Sequence, residues 1–590
     1  MSVPLRDYIS AGLGRKLLTL VVDNVTLLNV HTGELYPASI GVYRDRVVYV
    51  GKKSGIHSAE ATIDAKGAVA IPGMIDTHLH VESSMMTPAR FVEAALPHGL
   101  TSAFADPHEI ANVLGKEGVR AMIENSRGLP LKLRFFAPTC VPESPAVTPG
   151  SKVTAEDVEE MLGWDGICGL GEVMDYPAVL QTDSRMMSIL EAGRRHGAVI
   201  DGHAPLLNGP ELNAYIASGA EADHENFTVD TALEKLRLGM YVKLRGPYLL
   251  DTPKFVAALK GIPHPANLIL CTDDVMPDNL SKLGHLDYLC RSFIQAGMDP
   301  VEVVRSVTLR PAQHMRMPNL GAISPGRTAD IVLVDNLKDF RVGLVIADGV
   351  PVARDGRMLV EIPKGRMNDS TMNTVRLGTL GPADFHVDPP VKNGSVRVNA
   401  IDFKPYSGKM SDAGASFLDM VLTRLGKADV TVEDGVLRLG EVALVTVFER
   451  HGNNGGRAFG FARNLIGKGA VATTVAHDAH NLLVIGTDTD DMLLAANLVI
   501  GSGGGIVAVQ GGRKLAQIEL PVAGLMSEEG LGSVSAKMEG LRSAFKEMKV
   551  LDHPYMPLPC LLALSVIPHA RITDKGIFDV DAQKFVEPFD

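Results

Sequence analysis

The chain has 590 residues, of which 46% are hydrophobic and 21% are charged, a composition typical of a globular protein with ample material for buried cores. Its net charge of -12 argues against non-specific binding to nucleic acid, because that binding needs clustered cationic side chains that displace counterions from phosphates. No run of about eighteen uninterrupted apolar residues occurs, so we predict no membrane span. A chain of this length is expected to form about three to four domains.

Cysteine usage and the N-terminus bear on the compartment. The five cysteines are scattered and form no Cys-x-x-Cys pair, so they fit neither a disulfide framework nor a cysteine-based zinc site. The apolar run Leu17 to Val22 is too short for the core of a signal peptide and is followed by Asp23. These features predict a protein of the reducing cytoplasm.

The N-terminal part of the chain has the texture of a small β-rich unit. After a short lead-in that reaches about residue 16, β-branched runs broken by turns extend to residue 72. The same texture returns at Leu320 to Val334 and continues to about residue 360. We predict that residues 1–72 and 318–360 pair into one composite β-sandwich domain that brackets the segment between them.

That segment, residues 73–317, alternates short apolar strands with amphipathic stretches of helical length. Eight strand candidates occur, and the helix candidates between them include Pro88 to His98, Ala155 to Leu162, Asp183 to His196 and Gly209 to Ser218. Eight strands and their helices in about 245 residues match an α/β fold of the TIM type, a (β/α)8 barrel. An open doubly wound sheet would normally bring a glycine-rich phosphate loop after an early strand, and the sequence has none there.

Beyond the sandwich, the weakly periodic stretch 361–393 contains Pro, Gly and Asn and is predicted to be a linker. Residues 394–590 are predicted to form a further α/β domain, with hairpin strands in 430–440 and 441–452 and with helices at Thr489 to Gly501 and Glu528 to Met548. The glycine-rich run 501–512 lacks GxGxxG and GK[ST] and precedes a strand, so we interpret it as a turn rather than as a phosphate loop.

Side chains that can bind metal stand where the predicted barrel strands end, which is where such barrels build their active sites. On the first strand His78 and His80 are two residues apart, so their side chains point to one face. Later strands contribute one ligand each: Glu172 on the fourth, His203 on the fifth, His224 on the sixth and Asp273 on the eighth.

Taken singly, such a histidine is usually a hydrogen-bonded core or surface residue, and such an aspartate is usually a helix cap. The joint pattern of four histidines and two carboxylates favours metal binding, because imidazole and carboxylate suit zinc, iron and manganese. Six ligands exceed what one catalytic ion with an open position requires. We therefore predict a centre of two divalent metal ions.

The run PGMIDTHLH at 72–80, with the ligands on the later strands, resembles the amidohydrolase superfamily, whose barrel is flanked by a small β-sandwich. The phrase LGAISPGRTADIVLVD at 320–335 fits that sandwich. Further segments resemble bacterial adenine deaminases more closely: HVESSMMTPARF (80–91), ADPHEIANVLG (105–115), GLGEVMDYP (169–177), DGHAP (201–205), CTDDVMP (271–277), HGNNGGRAFGF (451–461) and HDAHN (477–481).

This resemblance implies hydrolytic deamination of adenine to hypoxanthine and ammonia in purine salvage, by attack of a metal-bridging hydroxide on C6. The expected ligands of one ion are His78, His80, Glu172 and Asp273. Those of the other ion are Glu172, His203 and His224, so Glu172 is shared. Manganese or iron are the expected ions, with zinc as an alternative. Asp273 is expected to take the hydroxide proton and pass it to the departing amine.

Attack at C6 pushes negative charge onto N1, so a proton donor is expected beside that atom. The candidates are Glu109 and His108, in the turn after the second strand, and Glu82, just beyond the first histidine pair. Their order is open, and we favour Glu109.

Two further carboxylates are candidate substrate contacts. Asp106 begins the turn after the second strand, which is equally typical of a helix start with Asp106 as the cap and Pro107 in the first helical position. Asp274 is expected either to contact the substrate or to orient a ligand histidine.

In the C-terminal region His451, His477, Asp478 and His480 are candidates for a second metal site, because the His-Asp-x-His spacing occurs in metal motifs, but we favour loops that close over the barrel mouth. Arg90 lies in an amphipathic stretch, where a solvent or ion-pair role is expected.

Two other functions remain open. A cyclic-amide hydrolase on the same barrel would open a ring without releasing ammonia. A non-catalytic metal-binding barrel protein is disfavoured by the complete ligand set. The expected partner is the small molecule adenine, with no nucleic acid and no membrane, and the chain is expected to form a homo-oligomer, either a dimer or a larger assembly.

Overall fold

The structure is a computed structural model that describes residues 3–55, 58–247, 249–363, 365–404 and 420–590. In it the N-terminal strands form one half of a mixed sheet. A short helix α1 (Leu5–Gly12) precedes them. The strands are β1 (Leu18–Leu28), β2 (Leu35–Tyr43), β3 (Arg46–Gly51), β4 (Ala59–Asp64) and β5 (Val69–Pro72).

Eight parallel strands follow and confirm the predicted barrel. They are β6 (Met74–Leu79), β7 (Leu100–Ala105), β8 (Lys132–Ala137), β9 (Ile167–Val173), β10 (Val199–Gly202), β11 (Ala222–Asp223), β12 (Tyr241–Leu244) and β13 (Leu268–Leu270). β6 to β10 form one ladder and β11 to β13 another. The ring closes where the N–H of Glu221 donates to the oxygen of Ile200 at 2.9 Å and the N–H of Asp273 donates to the oxygen of His78 at 3.0 Å.

Helices follow most of these strands. They are α2 (Pro88–Ala95), α3 (His108–Leu114), α4 (Lys116–Ser126), α5 (Ala155–Leu162), α6 (Tyr176–Leu180), α7 (Ser184–Arg195), α8 (Gly209–Ala217), α9 (Val229–Arg237), α10 (Thr252–Leu259), α11 (Pro277–Leu283), α12 (Leu286–Gln295), α13 (Pro300–Val307) and α14 (Leu309–His314). The first predicted helix ends earlier than expected, because its last turn, Leu96–His98, is a 3-10 helix that contains Pro97, which has no N–H to donate.

The second half of the mixed sheet comes after the barrel and confirms the predicted pairing of the two β-rich segments. Its strands are β14 (Ile331–Val334), β15 (Val342–Ala347), β16 (Val350–Arg354) and β17 (Arg357–Met358). β14 runs antiparallel to β5, with Ile331 opposite Pro72. Gly73 joins β5 to β6, and a Cβ there would lie 2.2 Å from the Oγ1 of Thr101, so only glycine fits this junction.

The C-terminal region is built on a nine-stranded sheet in the order β20-β19-β18-β22-β21-β24-β23-β25-β26 and a small sheet of β27 to β29. The strands are β18 (Gly394–Asp402), β19 (Arg424–Glu433), β20 (Val436–Arg438), β21 (Val442–Phe448), β22 (Arg457–Arg463), β23 (Ala470–Thr473), β24 (Leu482–Gly486), β25 (Gly505–Gln510), β26 (Arg513–Glu519), β27 (Ala570–Thr573), β28 (Gly576–Asp579) and β29 (Lys584–Val586). Among the described residues of this region the longer helices are α15 (Thr489–Gly501) and α16 (Leu531–Met548).

Two predictions for this region differ in detail from the structure. Residues 430–440 form a hairpin by themselves, because Asp434 and Gly435 both have positive φ and make the tight turn between β19 and β20. The described residues of the stretch 361–393 include two 3-10 helices, Asp369–Thr371 and Pro382–Phe385, and they are held against the C-terminal region: Phe385 is buried and the N–H of Arg376 donates to the oxygen of Arg450 at 2.7 Å. The linker itself stays a prediction. The glycine-rich run 501–512 contains the turn from α15 into β25.

The C-terminal region also packs on the barrel. The N–H of Ser527 donates to the oxygen of Met85 at 2.9 Å, and the Nε of Arg542 donates to Asp278 at 2.6 Å. In the described ranges no helix has the length and hydropathy that crossing a membrane requires. The predicted domain boundaries stay a proposal.

The junction between the two halves of the mixed sheet yields a stability prediction. Ile331 is fully buried in β14, so Ile331→Ala removes apolar contacts and leaves a cavity, with an expected loss of about 2–5 kcal/mol. Val350, on the same sheet, is 52% exposed, and Val350→Ala serves as the matched control. Thermal unfolding of both variants should show a clear fall in midpoint for the first only. Equal shifts would mean that this junction does not limit stability.

Candidate metal and substrate site

The predicted ligands meet at the C-terminal ends of the barrel strands, beside a cavity of about 960 Å³ that includes its part open to solvent. One wall carries the polar strand ends. The facing wall comes from the C-terminal region and is largely apolar, with Leu561, Leu564 and Ile567 among its residues.

Glu172, at the end of β9, lies at the centre of the ligand cluster. Its Oε1 is 3.5 Å from the Nε2 of His80. Its Oε2 is 2.7 Å from the Nδ1 of His203 and 3.4 Å from the Nε2 of His224. The two oxygens of one buried carboxylate therefore face histidines from three different strands, an arrangement that suits a bridging ligand.

Asp273 completes the cluster from the other side. Its Oδ1 lies 3.1 Å from the Nε2 of His80 and 3.4 Å from the Nε2 of His78. Its backbone has φ of +58°, in the left-handed region that non-glycine residues seldom adopt and that recurs at functional sites. The structure thus brings all six predicted metal ligands into one cluster.

Hydrogen bonds outside the cluster orient the first two histidines. The Nδ1 of His78 is 2.8 Å from Asp201, and the Nδ1 of His80 is 2.9 Å from the backbone oxygen of Asp106. Because each Nδ1 carries the hydrogen for these acceptors, each Nε2 has a lone pair to offer a metal ion when the ring is neutral. The Nε2 of His78 is buried without a hydrogen-bond partner among the described residues, as a metal ligand would be.

Asp201 is itself held by a buried lysine. The Nζ of Lys243 donates to both Asp201 oxygens at 2.8 Å, and also to the backbone oxygen of Thr77 at 3.0 Å. Burial opposes ionisation, but Lys243 and His78 hold the pKa of Asp201 well below its usual range. Asp201 is therefore a fixed anion that sets the tautomer of His78.

The donor set fits divalent ions. The ligand atoms of His78, His80 and Glu172 lie within 4.8 Å of one another, and so do those of Glu172, His203 and His224. Each group combines neutral imidazole with carboxylate, which suits zinc, manganese and iron. Both groups contain Glu172, and a further group of His78, His224 and Asp273 overlaps them, so the division of the ligands between two ions stays a prediction.

Glu109, the favoured donor to N1, contacts the C-terminal region. Its Oε1 is 2.7 Å from the Nδ1 of His477, and its Oε2 contacts the Nε2 of His480. Burial opposes ionisation, but His477 and His480 hold the pKa of Glu109 well below its usual range. Glu109 lines the cavity as an ionised hydrogen-bond acceptor, a state that does not donate a proton.

The other two donor candidates differ in position. His108 lines the cavity, and its Nδ1 is 3.4 Å from Glu172. Glu82 is buried behind the cavity wall and accepts a hydrogen bond from the N–H of Ile110 at 3.2 Å. Burial, and then the charge of Glu109, raise the pKa of Glu82 to about 7.

The interpretation of Asp106 as a helix cap is wrong. Helix α3 begins at His108 with Pro107 as its N-cap and no side-chain cap bond, because the Oδ2 of Asp106 instead accepts the N–H of Glu172 at 2.8 Å. A Cβ on Gly171 would lie 2.2 Å from that oxygen, so glycine permits the contact. Asp106 therefore positions Glu172, and its predicted contact with substrate stays a prediction.

Asp274 lines the cavity together with Arg245, Glu225 and Tyr555, three residues that the sequence did not single out. The hydroxyl of Tyr555 donates to Asp274 at 2.8 Å and lies 3.1 Å from Asp273. The guanidinium of Arg245 contacts Asp273 and donates to Glu225 at 2.8 Å. Arg245 comes directly after β12, and Glu225 comes directly after the predicted ligand His224, so the positions of both residues could have pointed to them. No such signal exists for Tyr555.

The remaining residues singled out from the sequence lie as follows. Arg90 pairs with Glu93 at 2.7 Å, in line with the expected ion-pair role. The Nε2 of His451 lies 2.9 Å from the oxygen of Ala479, away from the cavity wall. His477 lines the cavity, so the loop that carries it lies at the barrel mouth, where the favoured interpretation puts it.

Comparison with known proteins identifies the family. The sequence profile of the amidohydrolase family matches residues 69–352, and that of the adenine deaminase C-terminal domain matches residues 420–584. An adenine deaminase of Thermosipho africanus is 37% identical over 589 residues, which cover 99% of this chain and 99% of the relative. An adenine deaminase of Mesorhizobium japonicum is 38% identical over 596 residues, covering 98% of this chain and 96% of the relative.

The chain belongs to the adenine deaminase family. The two matched segments correspond to the two walls of the cavity. All six predicted metal ligands fall in the amidohydrolase segment, whereas His477 and Tyr555 fall in the segment that matches the adenine deaminase C-terminal domain. The site of this family member is thus assembled from both.

The buried Asp201 yields a prediction about metal affinity. Asp201→Asn weakens the acceptor for the Nδ1 of His78, and the loss of such an outer contact typically lowers metal affinity about 10–100-fold. Metal retained after dialysis against graded chelator, measured by elemental analysis, should fall accordingly.

Two controls belong with it. Asp388→Asn changes a fully exposed aspartate and should leave metal retention unchanged. The double variant Asp201→Asn with Lys243→Met removes the lysine charge that the first change leaves buried, and it should restore the unfolding midpoint but not the metal affinity. Normal retention in Asp201→Asn would contradict the proposed orientation of His78.

Proposed function

We propose that this chain hydrolyses adenine to hypoxanthine and ammonia. The observation that carries the proposal is the convergence of four histidines on the carboxylates of Glu172 and Asp273, beside a cavity whose second wall belongs to the adenine deaminase C-terminal segment. Relatives named adenine deaminase that match over nearly the whole chain support it.

We propose two divalent ions, with Glu172 shared between their ligand sets, and manganese or iron as the native metals. His78, His80 and Asp273 would hold one ion with it, and His203 and His224 the other. Ions bound there supply the Lewis acidity that makes water nucleophilic near neutral pH.

Asp273 is the proposed proton carrier. Its Oδ2 contacts Arg245 and lies 3.1 Å from the Tyr555 hydroxyl, so it enters the reaction as a fixed, ionised base. It accepts a proton from the attacking water and delivers it to the C6 amino group, which leaves as ammonia. Arg245 and Tyr555 hold the carboxyl group of Asp273 in place both before and after it accepts the proton.

The cavity wall serves recognition. The apolar residues Leu561, Leu564 and Ile567 face the polar strand ends, so a flat heteroaromatic ring can lie between an apolar surface and the groups that act on it. The wall also limits the water that reaches the reacting atoms. Purine salvage and a homo-oligomeric assembly stay predictions.

Ammonia release tests the proposal directly. Purified protein reloaded with manganese or iron is expected to release one ammonia per adenine, with hypoxanthine as the co-product identified by chromatography. Ring opening of a cyclic amide without ammonia would favour the hydrolase alternative. No reaction under any metal would favour the non-catalytic alternative.

A substitution at the proton carrier separates its role from metal binding. Asp273→Asn removes the base and is expected to lower kcat by about 10²–10⁴-fold, the usual contribution of a general acid or base. Elemental analysis should accompany the kinetics, because reduced metal content would account for the loss without a proton role. Asp388→Asn is the matched exposed control.

A further inference from the structure

Three buried residues at the seam between barrel and C-terminal region have no role in the reaction as described above. Glu109 comes from the start of α3, and His477 and His480 come from the loop between β23 and β24. All three side chains are at most 7% exposed, and Glu109 contacts one histidine through each oxygen. A carboxylate and two imidazoles could hold a third metal ion or could form a hydrogen-bonded relay.

The hydrogen bond to His480 decides between these arrangements. Its Nδ1 accepts the backbone N–H of Ala476 at 3.3 Å, so that nitrogen carries the lone pair. In the neutral ring the hydrogen then sits on Nε2, which contacts Glu109. A nitrogen that donates its hydrogen to a carboxylate offers no lone pair to a metal, so His480 acts as a donor that anchors Glu109.

His477 occupies the opposite end of the relay. Its Nδ1 is 2.7 Å from the remaining oxygen of Glu109, and its Nε2 has no hydrogen-bond partner among the described residues although the side chain is only 7% exposed. The residue lines the cavity. A buried polar nitrogen without a partner is costly, and a bound ligand would remove that cost.

The chemistry around His477 favours a donor at Nε2. Burial opposes the charge, but Glu109 raises the pKa of His477 well above its usual value, and in the charged ring both nitrogens carry hydrogen. All but one of the ring nitrogens of a neutral purine base are acceptors, and the remaining one carries a hydrogen. A charged donor would therefore find its counterpart in the base.

We propose that His477 binds the purine base by donating a hydrogen bond from Nε2 to one of its ring nitrogens, and that Glu109 and His480 are positioning residues that hold its ring. The proposal rests on the proposed function and deepens it, since it assigns substrate recognition to the C-terminal region. It adds a substrate contact to the candidates in the barrel.

Two substitutions at position 477 separate the ring nitrogens. The amide of asparagine lies near the place of Nδ1, so His477→Asn keeps a partner for Glu109 and removes Nε2. The amide of glutamine reaches the place of Nε2, so His477→Gln keeps a donor there. His386→Asn changes a histidine that is about half exposed on the C-terminal region and is the matched control.

Base analogues identify the contact without any turnover. Purine, 1-deazapurine, 3-deazapurine and 7-deazapurine lack the C6 amino group and cannot release ammonia, and each deaza compound replaces one ring acceptor by C–H. Titration calorimetry on the metal-loaded protein should show that one deaza compound binds the unsubstituted protein roughly ten-fold or more weakly than purine. This loss of affinity relative to purine should vanish in His477→Asn and should persist in part in His477→Gln. It should persist fully in the control His386→Asn.

The positioning role has its own readout. Glu109→Gln should lose the same penalty, and combining it with His477→Asn should cost no more than either change alone, because the residues act as one unit. Additive losses would show that Glu109 acts separately from His477. If His477→Asn fails to fold, the comparison of His477→Gln with the unsubstituted protein decides the matter.

Three results would overturn the proposal. One is equal deaza penalties in His477→Asn and the unsubstituted protein. Another is a fall of one metal ion per chain in His477→Asn by elemental analysis, which would assign the cluster to a third ion. The third is adenine kinetics that do not change in His477→Asn. Failure of the unsubstituted protein to release ammonia, with the analogue pattern intact, would refute the proposed function alone.

Discussion

The carboxylate of Glu172 is the contact on which the rest of the site depends. Its oxygens face His80, His203 and His224, and its own backbone N–H is tied to Asp106. Such a carboxylate can be buried only if the surrounding groups compensate its charge and hold its geometry. The barrel meets this requirement by directing the ends of several strands at one point.

That convergence explains how much the sequence could predict. Ligands such as His78 and His80 stand at strand ends, and strand ends are recognisable because short apolar runs stop there. A parallel barrel brings all its C-terminal strand ends to one mouth. Residues at the ends of different strands can therefore be predicted to lie close together. The six-residue cluster follows from that rule, whereas the pairing of β5 with β14 was predicted from the β-rich texture on both sides of the barrel segment.

The parts that escaped prediction are those that depend on pairing across the fold. Asp201 and Lys243 belong to different strands, and nothing in either segment reveals that the two charges compensate each other in the interior. Tyr555 reaches the site from a region of low periodicity. The sequence around Asp106 is typical of a helix N-cap. In the structure its side chain instead accepts a hydrogen bond from the N–H of Glu172. Tertiary contacts overrode the local preference there.

The facing wall adds a constraint of timing. Protein synthesis runs from the N-terminus, so the barrel strands that carry the ligands emerge from the ribosome well before the loop with His477 and the segment with Tyr555. In a partly made chain that lacks this wall, the strand ends that carry the metal-binding groups would be open to solvent. The cavity is therefore complete only when the C-terminal residues that line it have been made.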